Sequence, residues 1–107
     1  MRMWNVNPQL LCNKHLLGEH VEMHMFVGTI NKGKSIQGYV QKGLVNPQQI
    51  NPRHQALAEE MLARGMNHQS DLDFSSKSLP IHSIAVHHNI KELKRRCPAC
   101  RQRMEAM

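Results

Sequence analysis

Between Asn7-Pro8 and Gly33 the chain runs without a proline or a turn dipeptide, a span that a small domain accommodates only as a long helix. Asn before Pro is a helix-start signature: the Asn side chain can accept the first free backbone N–H groups, and Pro tolerates the first helical position because its missing N–H would be unbonded there. Gly33 supplies the left-handed residue that ends helices. A first helix is therefore expected from Pro8 to about Asn31, and a short connecting helix from Ser35 to Lys42, closed by Gly43. Asn46-Pro47 repeats the start signal. Asn51-Pro52 repeats it again before RHQALAEEMLAR, in which Leu57, Ala58, Met61 and Leu62 recur at helical spacing until Gly65. Residues 66–80 read as a polar loop, Ser83 as the cap of IAVHHNIKELKRR, and Pro98 as the residue that ends or kinks that segment. No stretch alternates as a strand would. The expected architecture is all-α: one compact domain over residues 1–107, with three main helices, a short connecting helix and a basic tail at 97–107.

At 107 residues there is room for one small core and none for a cofactor domain. Trp4, Tyr39, Phe26 and Phe74 are the only aromatics, so the core must be built from aliphatic residues and the eight methionines. The net charge of +6 favours a polyanionic partner through counterion release, with nucleic acid the leading class. No run approaches the length of a membrane span, and MRMWNVNP lacks the apolar stretch of a secretory signal, so a cytoplasmic protein with no membrane partner is expected. Three cysteines make no disulfide framework; Cys12 is expected reduced and packed.

The stretch HLLGEHVEMHMFVG, residues 15–28, sets His15, Glu19 and Glu22 on one helical stripe and His20 and His24 on another. Three readings compete. The residues can be ordinary boundary positions of an amphipathic helix. His20 and His24 have the i, i+4 spacing of a metal pair, although a zincin helix carries Glu directly after the first His and Val21 stands there. A carboxylate can also serve acid–base chemistry, provided that a nucleophile faces it.

That stretch resembles the glutamate-bearing helix HLMAEYRELPRVFG of the phage pyrimidine-dimer DNA glycosylases of the endonuclease V type. The gapless register places Glu22 on the family's catalytic glutamate, His15 on its helix histidine and Gly28 on its glycine. Continued to the start, it sets Arg2 on a DNA-contacting arginine and Met1 on the residue whose α-amine is the nucleophile. QALAEEMLARGMNH is similar to the family's QIELIAECLKRGFNI, and PIHSIAV to its PHEASIAI, in the same order along the chain.

The resemblance implies a DNA glycosylase with abasic-site lyase activity, using an imine formed by the N-terminal amine and no cofactor. Its substrate would be double-stranded DNA carrying a pyrimidine dimer, another damaged or modified base, or an abasic site. A monomer in a bacterial or phage-infected cell is implied. An α-amine, with a reference pKa near 7.7–8.0, is the readiest nucleophilic amine in a chain. Removal of Met1 by an aminopeptidase is disfavoured by the bulk of Arg2, so Met1 itself would carry the amine. Arg2, His15, Glu19, His20, His24, Arg53, Lys94, Arg95 and Arg96 are the candidates for the DNA-binding surface. The chain departs from the family at Val21 and Met25, where the family has phosphate-gripping arginines; His20, His24 and Arg53 are possible substitutes. The aromatic tail of the family is replaced by CPACRQRMEAM.

CPAC at 97–100 is half of a zinc site, and the histidines nearest in sequence are His82, His87 and His88. Two alternatives follow: a zinc-dependent nuclease of the HNH kind, using Cys97, Cys100, His87 and His88, or a small basic helical protein that binds nucleic acid without chemistry.

Overall fold

The computed structural model describes residues 1–67, 72 and 84–107. Five helices carry these residues: α1 (Asn13–Asn31), α2 (Gln37–Gln41), α3 (Ile50–Ala63), α4 (Val86–Arg96) and α5 (Pro98–Glu105). Among the described residues there is no strand, and no helix is long and apolar enough to cross a membrane. Most of the expected polar loop at 66–80, its Phe74, and the expected cap Ser83 lie outside the described residues.

All three glycine stops are present with the same geometry. Gly33, Gly43 and Gly65 take φ of +73°, +70° and +77°. After each, the next residue's N–H bonds back to the carbonyl five positions earlier: Lys34 to Thr29 at 3.1 Å, Leu44 to Tyr39 at 2.9 Å and Met66 to Met61 at 2.8 Å. A left-handed residue is what allows this closure, and glycine takes it without a Cβ penalty.

The starts differ from expectation. Asn7 does cap, accepting from the Gln9 N–H at 3.1 Å, but the helix it opens is a single 3-10 turn, Pro8–Leu10. Leu11 and Cys12 are then extended and buried, and α1 begins only at Asn13. In this extended form both side chains are withdrawn from water, which stabilises the break in the helix. Asn46-Pro47 likewise opens one 3-10 turn, which leads directly into α3 at Ile50, so Asn51-Pro52 sits inside the first turn of that helix and does not cap it.

Leu16, Met23, Phe26 and Val27 of α1 pack against Ile50, Leu57 and Met61 of α3 in a core that also takes Met3, Val6, Leu11, Val40, Val45 and Leu93. The tail is ordered helix: α5 packs on α4 and on the Pro8–Leu10 turn, with the Arg103 guanidinium donating to the Gln9 carbonyl at 2.9 Å.

Candidate active site

The first six residues form an irregular arm, turned at Asn5 by a φ of 55° and held on both sides. The Met3 N–H donates to the Leu44 carbonyl at 2.6 Å, and Met3, Trp4 and Val6 are buried. Asn89 of α4 grips the arm twice, accepting from the Arg2 guanidinium at 2.5 Å and donating to the Trp4 carbonyl at 2.7 Å. The same guanidinium lies over the Trp4 ring, 3.9 Å from its centroid, a cation–π stack. With the arm fixed this way, the Met1 α-amine sits 4.0 Å from Glu22 Oε1 on α1.

Beside this pair opens a groove of about 660 Å³. Arg2, Lys14 and Arg96 supply its positive charge, Trp4, His15, Leu17 and Val21 part of its wall, and Glu22 its accessible carboxylate. Burial is the main influence on Glu22 and raises its pKa. The positive chain start opposes the shift, the charge of Glu19 adds to it, and the Arg2 backbone N–H opposes it again; the net direction is up. For His15 burial comes first, then the charges of Lys14 and Arg96; all lower its pKa, so the imidazole is neutral near pH 7.

The predicted site residues divide sharply by position. Met1, Arg2, His15, Glu22 and Arg96 come together at the groove. Glu19 also borders it, yet is 1 % exposed and belongs to the floor. Arg53, also buried, donates to Glu19 through Nε at 2.5 Å and Nη2 at 2.8 Å, and through Nη1 to the Val6 carbonyl at 2.6 Å. Arg53 thus turns Nε, Nη1 and Nη2 toward partners inside the protein, and Glu19 and Arg53, both expected at the DNA surface, pair with each other in the interior. His20 is buried as well. Its ring, those of His24 and His54 form a layer between α1 and α3, with His24 and His54 Nε2 atoms 3.1 Å apart. His20 and His54 are buried in this layer and His24 is half-buried at its edge. Lys94 and Arg95 are exposed on α4; Arg95 and Arg96 both pair with Glu92, at 3.0 and 2.9 Å.

His87 and His88 are exposed on α4 and do not join Cys97 and Cys100. His82 lies outside the described residues. The thiols instead meet Cys12 and His15 at the start of α1. Lys14, Trp4 and Asn89 are groove and arm residues that sequence reasoning missed. Lys14 was detectable as the cation beside His15, whereas the grip of Asn89 on the arm depends on tertiary packing alone.

A helical domain that presents an amine, a carboxylate and three cations to one groove has the equipment of an enzyme acting on a polyanion. Comparison with protein families makes this specific: the sequence model described as pyrimidine dimer DNA glycosylase matches residues 1–74, and the chain belongs to that family. It is thus a member of a DNA-repair family that acts on DNA containing pyrimidine dimers. Neither a curated protein nor a solved structure matches the chain.

Proposed function

We propose that this glycosylase is also an abasic-site lyase whose nucleophile is the Met1 α-amine and whose acid–base partner is Glu22. The observation that carries the reading is the 4.0 Å approach of the amine to Glu22 Oε1 at the edge of a cationic groove. The amine lone pair attacks the sugar C1′ as the glycosidic bond breaks, and its electrons leave with the base, which takes up a proton. The nitrogen then loses a proton and its lone pair opens the sugar ring, the C1′–O4′ bond breaking and O4′ taking up a proton, which gives an imine at C1′. Removal of a proton from C2′ then expels the 3′ phosphate by β-elimination, and water hydrolyses the imine to restore the amine. Glu22 is placed to relay the amine protons, and its anion stabilises the positive charge of the imine. Arg2, Lys14 and Arg96 hold the phosphates on either side.

C1′ is shielded in a stacked duplex, so the nucleotide must be extruded or the DNA bent before attack. Borohydride reduction of the protein on an abasic duplex is expected to leave a covalent adduct that mass mapping places on Met1. An adduct on a lysine, or none, overturns the assignment. A single residue added before Met1 is expected to abolish trapping with duplex affinity retained, because the amine then stands one residue away from Glu22.

Val21 lines the groove and is 47 % exposed where the family carries an arginine. Val21→Arg is expected to tighten duplex binding several-fold at low salt and to steepen the dependence of log affinity on log salt by about 0.9, one phosphate contact's worth. Anisotropy titrations across a salt series check this; an unchanged slope would mean that the backbone does not pass over Val21.

A further inference from the structure

We infer that Cys12, His15, Cys97 and Cys100 form a structural zinc site that ties the C-terminal tail to the start of α1. The sequence holds two half-sites of matching form, Cys12-x-x-His15 and Cys97-x-x-Cys100, and the fold brings them together across a separation of 85 residues. All four ligand atoms lie within 4.8 Å of one another. Tetrahedral zinc, with bonds of about 2.3 Å to sulfur and about 2.0 Å to nitrogen, requires edges of about 3.8 Å between sulfurs and about 3.6 Å between sulfur and nitrogen. The cluster has Cys12 Sγ to Cys97 Sγ at 3.8 Å, Cys100 Sγ to His15 Nδ1 at 3.5 Å and Cys12 Sγ to His15 Nδ1 at 3.2 Å. The first two match these edges, and the third is within a few tenths of an ångström.

The surroundings are those of bound thiolates. The Cys12 N–H points at Cys100 Sγ at 3.2 Å, and the Cys100 N–H at Cys97 Sγ at 3.4 Å. Backbone donors aimed at ligand sulfurs supply the outer coordination shell that neutralises and orients them. Pro98 opens α5 between the two cysteines, and the Cys97 side chain caps that helix, so the knuckle is rigid before any ion arrives.

A disulfide does not account for the cluster. Its sulfurs would stand about 2.0 Å apart, and whichever pair closed would leave a third thiol and an imidazole gathered for no reason. Three thiolates and one imidazole are a soft set that suits zinc, and four protein ligands leave no open position for a catalytic water. The ion is therefore structural, and the chemistry proposed above passes through no metal. It closes a long loop in a small domain, where such a cross-link is most stabilising. It also fixes the spacing of two groove cations, since Lys14 adjoins His15 and Arg96 adjoins Cys97.

The test uses the full chain and no DNA. Protein expressed in zinc-supplemented medium and purified without chelator is expected to carry one zinc per chain by elemental analysis, released on thiol modification. Cobalt(II) added to the chelated chain should produce tetrahedral d–d bands and a sulfur-to-cobalt charge-transfer band. Cys12→Ser and Cys97→Ser should each lose both signals, whereas His15→Cys, which preserves four ligands, should keep one zinc and strengthen the charge-transfer band. Because the serine variants can fail to fold, the cobalt spectrum of the unaltered chain decides independently. Substoichiometric zinc with no cobalt bands, or a Cys12–Cys97 disulfide in the native protein, overturns the assignment.

Discussion

Glu22→Gln is expected to lower strand cleavage at an abasic site by about 10²–10⁴-fold, the usual contribution of a positioned acid–base group, while duplex affinity holds or rises. The sign of the binding change follows from the groove: Arg2, Lys14 and Arg96 line it, and Glu22 is its accessible carboxylate, which would oppose a polyanion bound there. Removing its charge can only help binding. Single-turnover cleavage and anisotropy on the same duplex check the pair, and a parallel loss of affinity would reassign Glu22 to folding.

The pH dependence follows from the same residue. Burial, reinforced by the charge of Glu19 and opposed by the chain start, raises the Glu22 pKa above the ordinary carboxylate value. The ionised form needed as proton acceptor is therefore lost, as pH falls, earlier than an exposed glutamate would lose it. The acid limb of kcat/KM should lie above the ordinary carboxylate range and be absent from the residual activity of Glu22→Gln. Stability runs the other way. A folded-state pKa above the unfolded value means that stability increases as pH falls through the folded value, so ionised Glu22 lowers stability at pH 7. Glu22→Gln should raise Tm at pH 7, and the difference should shrink as pH falls and Glu22 takes up its proton. A lower Tm at pH 7 would contradict the raised value.

Much of the helical frame was legible because its signals are local. Gly33, Gly43 and Gly65 end helices through their own φ, and the α3 periodicity depends only on neighbours three and four residues apart. Asn7-Pro8 misled because the same local chemistry, an Asn cap and a proline, serves a 3-10 turn equally well; what stops the helix is the demand of the core for Leu11 and Cys12. The pairing of Met1 with Glu22 is not written in composition or spacing, and only the family register exposed it. The burial of Glu19 was legible only in part: it shares its helix face with buried Met23 and Phe26. A carboxylate between such residues demands an internal cation. That cation, Arg53, is 34 positions away and looks in sequence like any solvated arginine. The metal half-site at Cys12-x-x-His15 was hidden differently: the family register had already given His15 another role.

The Glu19–Arg53 pair should be the most expensive side-chain contact to break. Both side chains are almost fully withdrawn from water, at 0 % and 5 % exposure, and joined by two charge-assisted bonds. Replacing Arg53 by Met retains much of the volume but leaves the buried Glu19 carboxyl without its cation and the Val6 carbonyl without its donor, at an expected cost of about 3–5 kcal/mol. In a domain whose total stability is of order 5–15 kcal/mol, this brings a large share of molecules to the edge of unfolding at 37 °C. The pair itself need not stabilise, because removing two charges from water costs nearly what their attraction returns. The double variant Glu19→Leu/Arg53→Met should therefore recover most of the loss, within about 1–2 kcal/mol of the parent. Urea unfolding of the four proteins measures the cycle, and a coupling below about 0.5 kcal/mol would show that the pair is solvated. The recovered double variant carries a further consequence for the site. The Glu19 charge contributes to the raised pKa of Glu22, so eliminating it should shift the acid limb of kcat/KM to lower pH. A merely structural pair would leave that limb where it is.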